Sequence, residues 1–422
     1  MKSRFANILL ALTLLVAPTV LRAQQTLSFV PDVRTVQVLL NGKAGEMPLL
    51  TLGGNDILEI SFDDLTHEYE RFEYRIVHCD RDWQPSTQIL PTDAADITQE
   101  SIPVEEYEYS FNTTQLYTHY RFQIPSPDMR PRISGNYRVD ISRDGDYEEG
   151  LVAQACFMVV EPIARVSLSV TDNTEVDWKQ SHQQVRMSVD YGALQPRPNN
   201  PKSDITAVVL QNLRWDNARC YVEPDYLSST TLEWEHCRGL VFPAGNEYRR
   251  FENTTTRHAA MGMESLRWYE PYYHATLRLG EPRRNYVFDR DQNGKCVVRT
   301  TDSDISDTEA DYMLVHFQLA ADPLPEGQHL YVQGQWTDDF LTRENEMHYL
   351  PQNGIYEAVM LLKQGYYNYQ FLVTDSSSHS GQTAPIEGDY YQTENEYHAL
   401  IYYRNAFERY DRLIAYGKAG SF

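Results

Sequence analysis

Helical periodicity is what this 422-residue chain most conspicuously lacks. Apolar residues almost nowhere recur at the three-to-four spacing that gives a helix one greasy face. Cysteine is scarce too: Cys79, Cys156, Cys220, Cys237 and Cys296 are too few for a disulfide scaffold, so the fold must rest on hydrophobic cores. The odd count leaves at least one thiol unpaired within a chain. Cys220 and Cys237, separated by a short polar excursion, are the expected disulfide. No Cys-x-x-Cys occurs, which removes the signature of zinc and thioredoxin-like chemistry. Positive charge is short: 37 Lys and Arg face 60 Asp and Glu, a formal charge of -23. That balance repels nucleic acid and anionic lipid surfaces, so neither is an expected partner. Gly-x-Ser-x-Gly, His-Glu-x-x-His and Walker-type loops are all missing. With 60 acidic residues, a pair of carboxylates somewhere has no weight as a glycosidase signal. The sequence predicts no enzyme and no cofactor.

Long apolar runs are confined to the N-terminus. Met1-Lys2-Ser3-Arg4, the stretch from Ile8 to Val16, and Leu21-Arg22-Ala23 read as a secretory signal peptide over 1–23, cleaved near Ala23. The run is short for a bilayer, and no later segment is apolar enough for a membrane helix, so direct membrane insertion is not expected. Losing Lys2, Arg4 and Arg22 takes the formal charge of -23 down by three, to -26. The expected product is exported, acidic and not anchored.

What the chain has in abundance is β texture. Thirty tyrosines and many short Val, Ile, Tyr and Phe runs alternate with polar residues between Gly, Pro, Asn and Asp. Val36 to Leu40 followed by Asn41-Gly42 reads as a strand entering a tight turn. Ile57–Phe62, Tyr137–Ile141, Val185–Val189 and Ala207–Leu210 also read as strands. The fold class is all-β, with tandem immunoglobulin-like or early-set β-sandwich domains. Domains are expected over 24–160, 163–305 and 310–422, parted by Glu161-Pro162 and by the acidic run Asp302 to Asp307. The tail from Asn405 to Tyr416 fits either a helical stripe through Phe407, Tyr410, Leu413 and Ile414 or a final hairpin.

Three passages imitate chemistry. Asp289 to Gly294 starts like a calcium loop, but Thr300 stands where the bidentate glutamate belongs, and an Asn-Gly hairpin turn is the better reading. Gly334-Gln335-Trp336, Asp338-Asp339-Phe340 and Leu361 to Phe371 resemble the cadence of glycogen-binding early-set modules. Trp336 and Phe340 would be the sugar-stacking pair, giving the alternative function of a periplasmic carbohydrate-binding protein. His78-Cys79-Asp80-Arg81-Asp82-Trp83 looks like a metal site, but neighbours on a strand point to opposite faces. That phrase and Arg214-Trp215-Asp216 combine Arg, Trp and Asp as interface anchors do, making His78, Asp80, Arg81, Asp82, Trp83, Arg214, Trp215 and Asp216 candidate contact residues. The same pattern also fits Arg–Asp pairs locking a turn beneath a buried tryptophan. Exposure of Trp83 and Trp215 separates the two.

Several phrases together resemble the type 9 secretion system plug protein family of Bacteroidota. They are Tyr74 to Ser86, Tyr117-Thr118-His119-Tyr120, Ser134 to Tyr137, Gln211 to Ala218, Ala244 to Arg249, Glu309 to Tyr312, Leu362 to Tyr367, Thr393-Glu394-Asn395 and Arg409 to Ile414. Ala415 departs from the glycine expected there. The resemblance implies a non-enzymatic periplasmic subunit that binds and seals the inner opening of a large outer-membrane β-barrel translocon. It transfers no functional residue.

Overall fold

The computed structural model describes residues 26–337, 341–375 and 380–421, so the expected signal peptide and Phe340 lie outside the described residues. Each strand's alternation decides which core it joins. In the first unit, Leu58, Ile60 and Phe62 of the strand Leu58–Asp64 face Phe72, Tyr74 and Ile76 of Phe72–Cys79. One sheet runs Val33–Leu40, Leu58–Asp64, Thr118–Ile124, Glu106–Tyr109; the other includes Leu151–Val160, Gly135–Arg143 and Phe72–Cys79. Aromatic rings fill the space between: Tyr74 stacks on Phe122 at 4.2 Å, and Phe72 meets Phe62 and Tyr120 edge-on at 5.1 and 4.8 Å.

The other two units are not consecutive. Ile205–Gln211 pairs with Glu396–Tyr403, which pairs with Arg412–Gly420, so the C-terminal strands complete the middle sandwich. Arg249–Glu252 pairs with Gly365–Asp375, and Tyr272–Leu277 runs parallel to Tyr312–Leu319. Residues 249–277 therefore belong to the third unit, a nine-stranded sheet curled over one core and inserted into the middle one. This corrects the expected divisions 163–305 and 310–422. Alternation identifies a strand and its buried face, but says nothing about which strand supplies its hydrogen bonds.

The tail is the hairpin. Leu413 and Ile414 go to opposite faces, Leu413 into a seam between units and Ile414 into the middle core. Asn41-Gly42 forms its turn with φ of 51° and 72°, and Asn293-Gly294 does likewise with 53° and 85°. The latter leads into Cys296–Val298, whereas Tyr286–Phe288 is not a strand, so no hairpin flanks it. Cys220 and Cys237 are both free thiols. Cys220 sits beside Val208 on the seam side of its sheet, while Cys237 lies in the middle core on the other side. A sheet stands between them, and sequence proximity across a loop did not reveal it.

Candidate functional site

The His78–Trp83 phrase is where the first unit meets the middle one. Beyond the strand Phe72–Cys79 the chain folds back: Trp83 N donates to Asp80 O at 2.9 Å and Ser86 N to His78 O at 2.9 Å. Trp83 takes φ of 62°, which aims its ring inward, where it is only 6% exposed. It meets half-buried Trp215 edge-on at 5.7 Å, within a cluster that includes Met158 from the first unit and Leu210, Leu400 and Tyr402 from the middle one. Asp80 accepts from Arg404 Nη1 at 3.0 Å, and the Arg81 backbone N donates to Asp411 Oδ2 at 3.0 Å. Burial raises the Asp411 carboxyl above its ordinary value, against the nearby Arg81. His78 is buried, its Nε2 3.1 Å from Ser134 O and its Nδ1 2.9 Å from Ser86 Oγ. Burial lowers its pKa and favours the neutral ring. Asp82 accepts from Gln84 N within the turn.

Arg214 and Asp216 join the middle unit to the inserted one. The guanidinium grips Asp216 at 2.9 and 2.6 Å, and Arg214 Nη2 donates to Gly381 O at 3.0 Å while Gly381 N returns to Asp216 at 2.9 Å. Asp80, Arg81, Trp83, Arg214, Trp215 and Asp216 thus meet partners across internal seams, while His78 is buried within the first unit and Asp82 caps its own turn. His78 and Cys79 do point apart, as a strand requires, with Cys79 in the seam cluster.

A third seam was invisible to sequence reasoning. Asp63 lies on the outer face of its strand yet is 1% exposed, because Tyr312 and Lys363 of the inserted unit cover it. Asp63 Oδ2 accepts from Lys363 Nζ at 2.6 Å and from Tyr312 OH at 2.7 Å, and Oδ1 lies 2.7 Å from His119 Nδ1. Lys363 also donates to Asp307 O at 2.8 Å and stands 4.2 Å above the Tyr117 ring. Burial works against the Asp63 carboxylate, but Lys363 and His119 outweigh it and hold the group below its ordinary pKa. Next to it, Asp311 accepts from the backbone of Thr114 at 2.8 Å and of Gln115 at 3.1 Å. Each of these buried charged groups is held by named partners, Asp63 by Lys363, Tyr312 and His119 and Asp311 by the backbone of Thr114 and Gln115. The partners are hundreds of residues apart, and nothing in local spacing marks them.

Comparison with known proteins fits this architecture. A family model described as the type 9 secretion system plug protein 1st domain matches residues 33–161, which is the first unit. A solved structure of a hypothetical protein from Parabacteroides merdae ATCC 43184 is 37% identical, with a TM-score of 0.90, and the match covers 94% of this chain and 99% of that one. This chain belongs to the type 9 secretion system plug protein family. A second solved structure, BspA_C_mut, is 7% identical over 88% of this chain and 95% of that one; its TM-score of 0.14 carries no argument. No curated protein matches.

The sugar-stacking reading finds no support at Trp336 in this plug-family chain. Its ring stacks on Phe317 at 5.8 Å, meets Tyr367 edge-on at 5.4 Å, and its Nε1 donates to Asn368 O at 2.8 Å. A stacking platform needs a free ring face, and these contacts turn Trp336 toward its own core. It borders a cleft of about 1020 Å³ between the first and inserted units, whose lining mixes Val36 and Val38 with Met360, Leu362 and Trp215.

Where the chain passes from the middle to the inserted unit, Glu247 is 1% exposed and accepts from Tyr286 OH at 2.7 Å and Glu394 N at 3.1 Å. Burial, with Asp291 and Glu394 nearby, raises its pKa to about 7. The folded state therefore holds this proton more tightly than the unfolded chain. Stability falls as pH rises from the ordinary carboxyl value of 4.5 toward about 7. Glu247→Gln keeps both acceptor contacts and removes the charge. Thermal unfolding should show the variant more stable at pH 8, by about 2 kcal/mol, and level with the wild type at pH 4.5. Equal curves at pH 8 would show that Glu247 ionises freely in the folded chain.

Proposed function

We propose that this chain is a non-enzymatic periplasmic subunit that binds and seals the periplasmic opening of the outer-membrane type 9 translocon. The observation carrying the reading is the match of the first unit to the plug family's first-domain model. The three-unit block is compatible with it. Occlusion requires bulk and fixed shape, not reactive groups, and here three seams hold the units together through buried side chains. Among the described residues no helix is long and apolar enough to cross a membrane. The signal peptide proposed over 1–23 would deliver the chain to the periplasm, where the formal charge of -26 left after cleavage, the -23 of the whole chain less Lys2, Arg4 and Arg22, keeps it soluble. A wide polar contact can be specific and still release, because buried area does not set affinity. Opening then requires cargo or another component that binds the sealed and unsealed states differently.

The test is to tag the chromosomal copy, solubilise outer membranes in mild detergent and identify what co-purifies. A giant β-barrel in near-equal amount is the expected result. A clean monomer, from cells whose barrel is expressed and intact, would overturn the proposal.

A further inference from the structure

The strand Glu106–Tyr109 closes one side of the four-stranded sheet in the first unit and pairs only with Thr118–Ile124. All four of its residues are exposed. Just past it, Ser110 N donates to Tyr117 O at 2.8 Å. In an antiparallel ladder alternate residues face the neighbouring strand, so Glu108 and Glu106 turn their peptide groups inward. Tyr107 and Tyr109 turn theirs to the open side, where no strand pairs among the described residues.

The side chains divide by chemistry. On one face stand Glu106 and Glu108, with Arg121 at 2.9 and 3.5 Å as the cation between them. On the other, Tyr107 and Tyr109 are 40% and 46% exposed and their ring centroids lie 5.7 Å apart. Tyr69, 54% exposed, extends the row at 4.9 Å from Tyr107. An unpaired edge with carboxylates above and aromatic rings below is a template with a definite complement.

We infer that this edge docks an extended, basic segment of the translocon, added as a fifth strand beside Glu106–Tyr109. This rests on the plug reading given above. The open peptide groups of Tyr107 and Tyr109 supply the main-chain hydrogen bonds of strand addition. Lys or Arg on the carboxylate face neutralises two glutamates that share one arginine, and Arg on the other face stacks on tyrosine. A second copy of this strand is the wrong occupant, because antiparallel self-pairing sets glutamate against glutamate. The edge is four residues long, so the contact is short, exposed and sensitive to salt, as a releasable seal requires.

Two variants of the full-length tagged chain test it. Glu106→Lys with Glu108→Lys reverses the charge. Tyr107→Pro removes one outward N–H that donates to no neighbouring strand, as an edge position permits. Both positions are exposed, so each variant should melt with the wild type. If the lysine pair does not, Glu106→Gln with Glu108→Gln is the milder substitute. The amount of barrel recovered from detergent-solubilised outer membranes is compared at low and high salt. The wild type is expected to recover the barrel, less so at high salt, and each variant at least about tenfold less. If the wild type recovers the barrel and both variants match it, the edge is not the docking site, although the plug reading stands. If the wild type recovers no barrel, the plug reading and this inference fall together.

Discussion

Lys363→Met is expected to destabilise the chain by about 3–5 kcal/mol, the cost of leaving a buried carboxylate without its countercharge. Lys363 is 2% exposed and Asp63 1%, so neither solvent nor salt replaces the lost ammonium. Methionine fills much of the same volume, which separates the electrostatic loss from a cavity. The double variant Asp63→Asn with Lys363→Met removes both charges and should recover a large part of the loss. The pH dependence has a definite sign. Because Asp63 has a depressed pKa, the wild type draws stability from it above the ordinary carboxyl value and loses that as pH falls through the depressed one. In Lys363→Met the orphaned carboxylate is the liability, so acidification narrows the gap to the wild type. Urea unfolding at pH 7 and pH 4 reads both effects. A single-variant loss below about 1 kcal/mol at pH 7 would mean that water reaches this seam and the pair behaves as a surface one.

Trp83→Ala should cost about 3–5 kcal/mol, as truncation of a large buried aromatic does. Its indole N–H has no acceptor among the described residues, so the contribution is apolar packing against Trp215 and the seam. The backbone adds a finer test. At φ of 62° alanine is strained and glycine is not, so Trp83→Gly should be less destabilising than Trp83→Ala by about 1 kcal/mol. Loss of the ring also uncovers Trp215, and the emission of the variant should reflect a wetter indole there. If Trp83→Ala unfolds with the wild type, the seam is held by Asp80, Arg81, Arg404 and Asp411 alone.

How far the sequence could be read depends on the range of the interaction. The strands at Val36–Leu40 and Tyr137–Ile141, and the turns at Asn41-Gly42 and Asn293-Gly294, come from alternation and backbone preference within a few residues. Trp83 and Trp215 were singled out correctly as unusual, in phrases where Arg, Trp and Asp occur together. Their purpose was not legible, because a tryptophan anchoring a partner and one anchoring a neighbouring domain have the same composition. Ala207 to Leu210 carried a usable hint: a near-continuous apolar run implies burial on both faces. Val209 does face the middle core and Val208 the seam. Asp63, Lys363 and Tyr312 gave no such hint, since an isolated charge within a strand reads as a solvated face. The Glu106–Tyr109 edge was passed over for a similar reason, since acidic and aromatic residues alternate along many strands.

By itself, then, the sequence determined the all-β class, the main strands and tight turns, the acidic character, and membership of the plug family through phrases spread along the chain. These rest on local preference, summed charge and order along the backbone. Only the tertiary structure decided that the third unit is inserted into the second, that Cys220 and Cys237 sit on opposite sides of a sheet, and that the conspicuous Arg–Trp–Asp phrases close internal seams. Each of those depends on which strand pairs with which across hundreds of residues. Strand pairing uses peptide groups that every residue shares, so it leaves no mark in the side chains that a sequence displays.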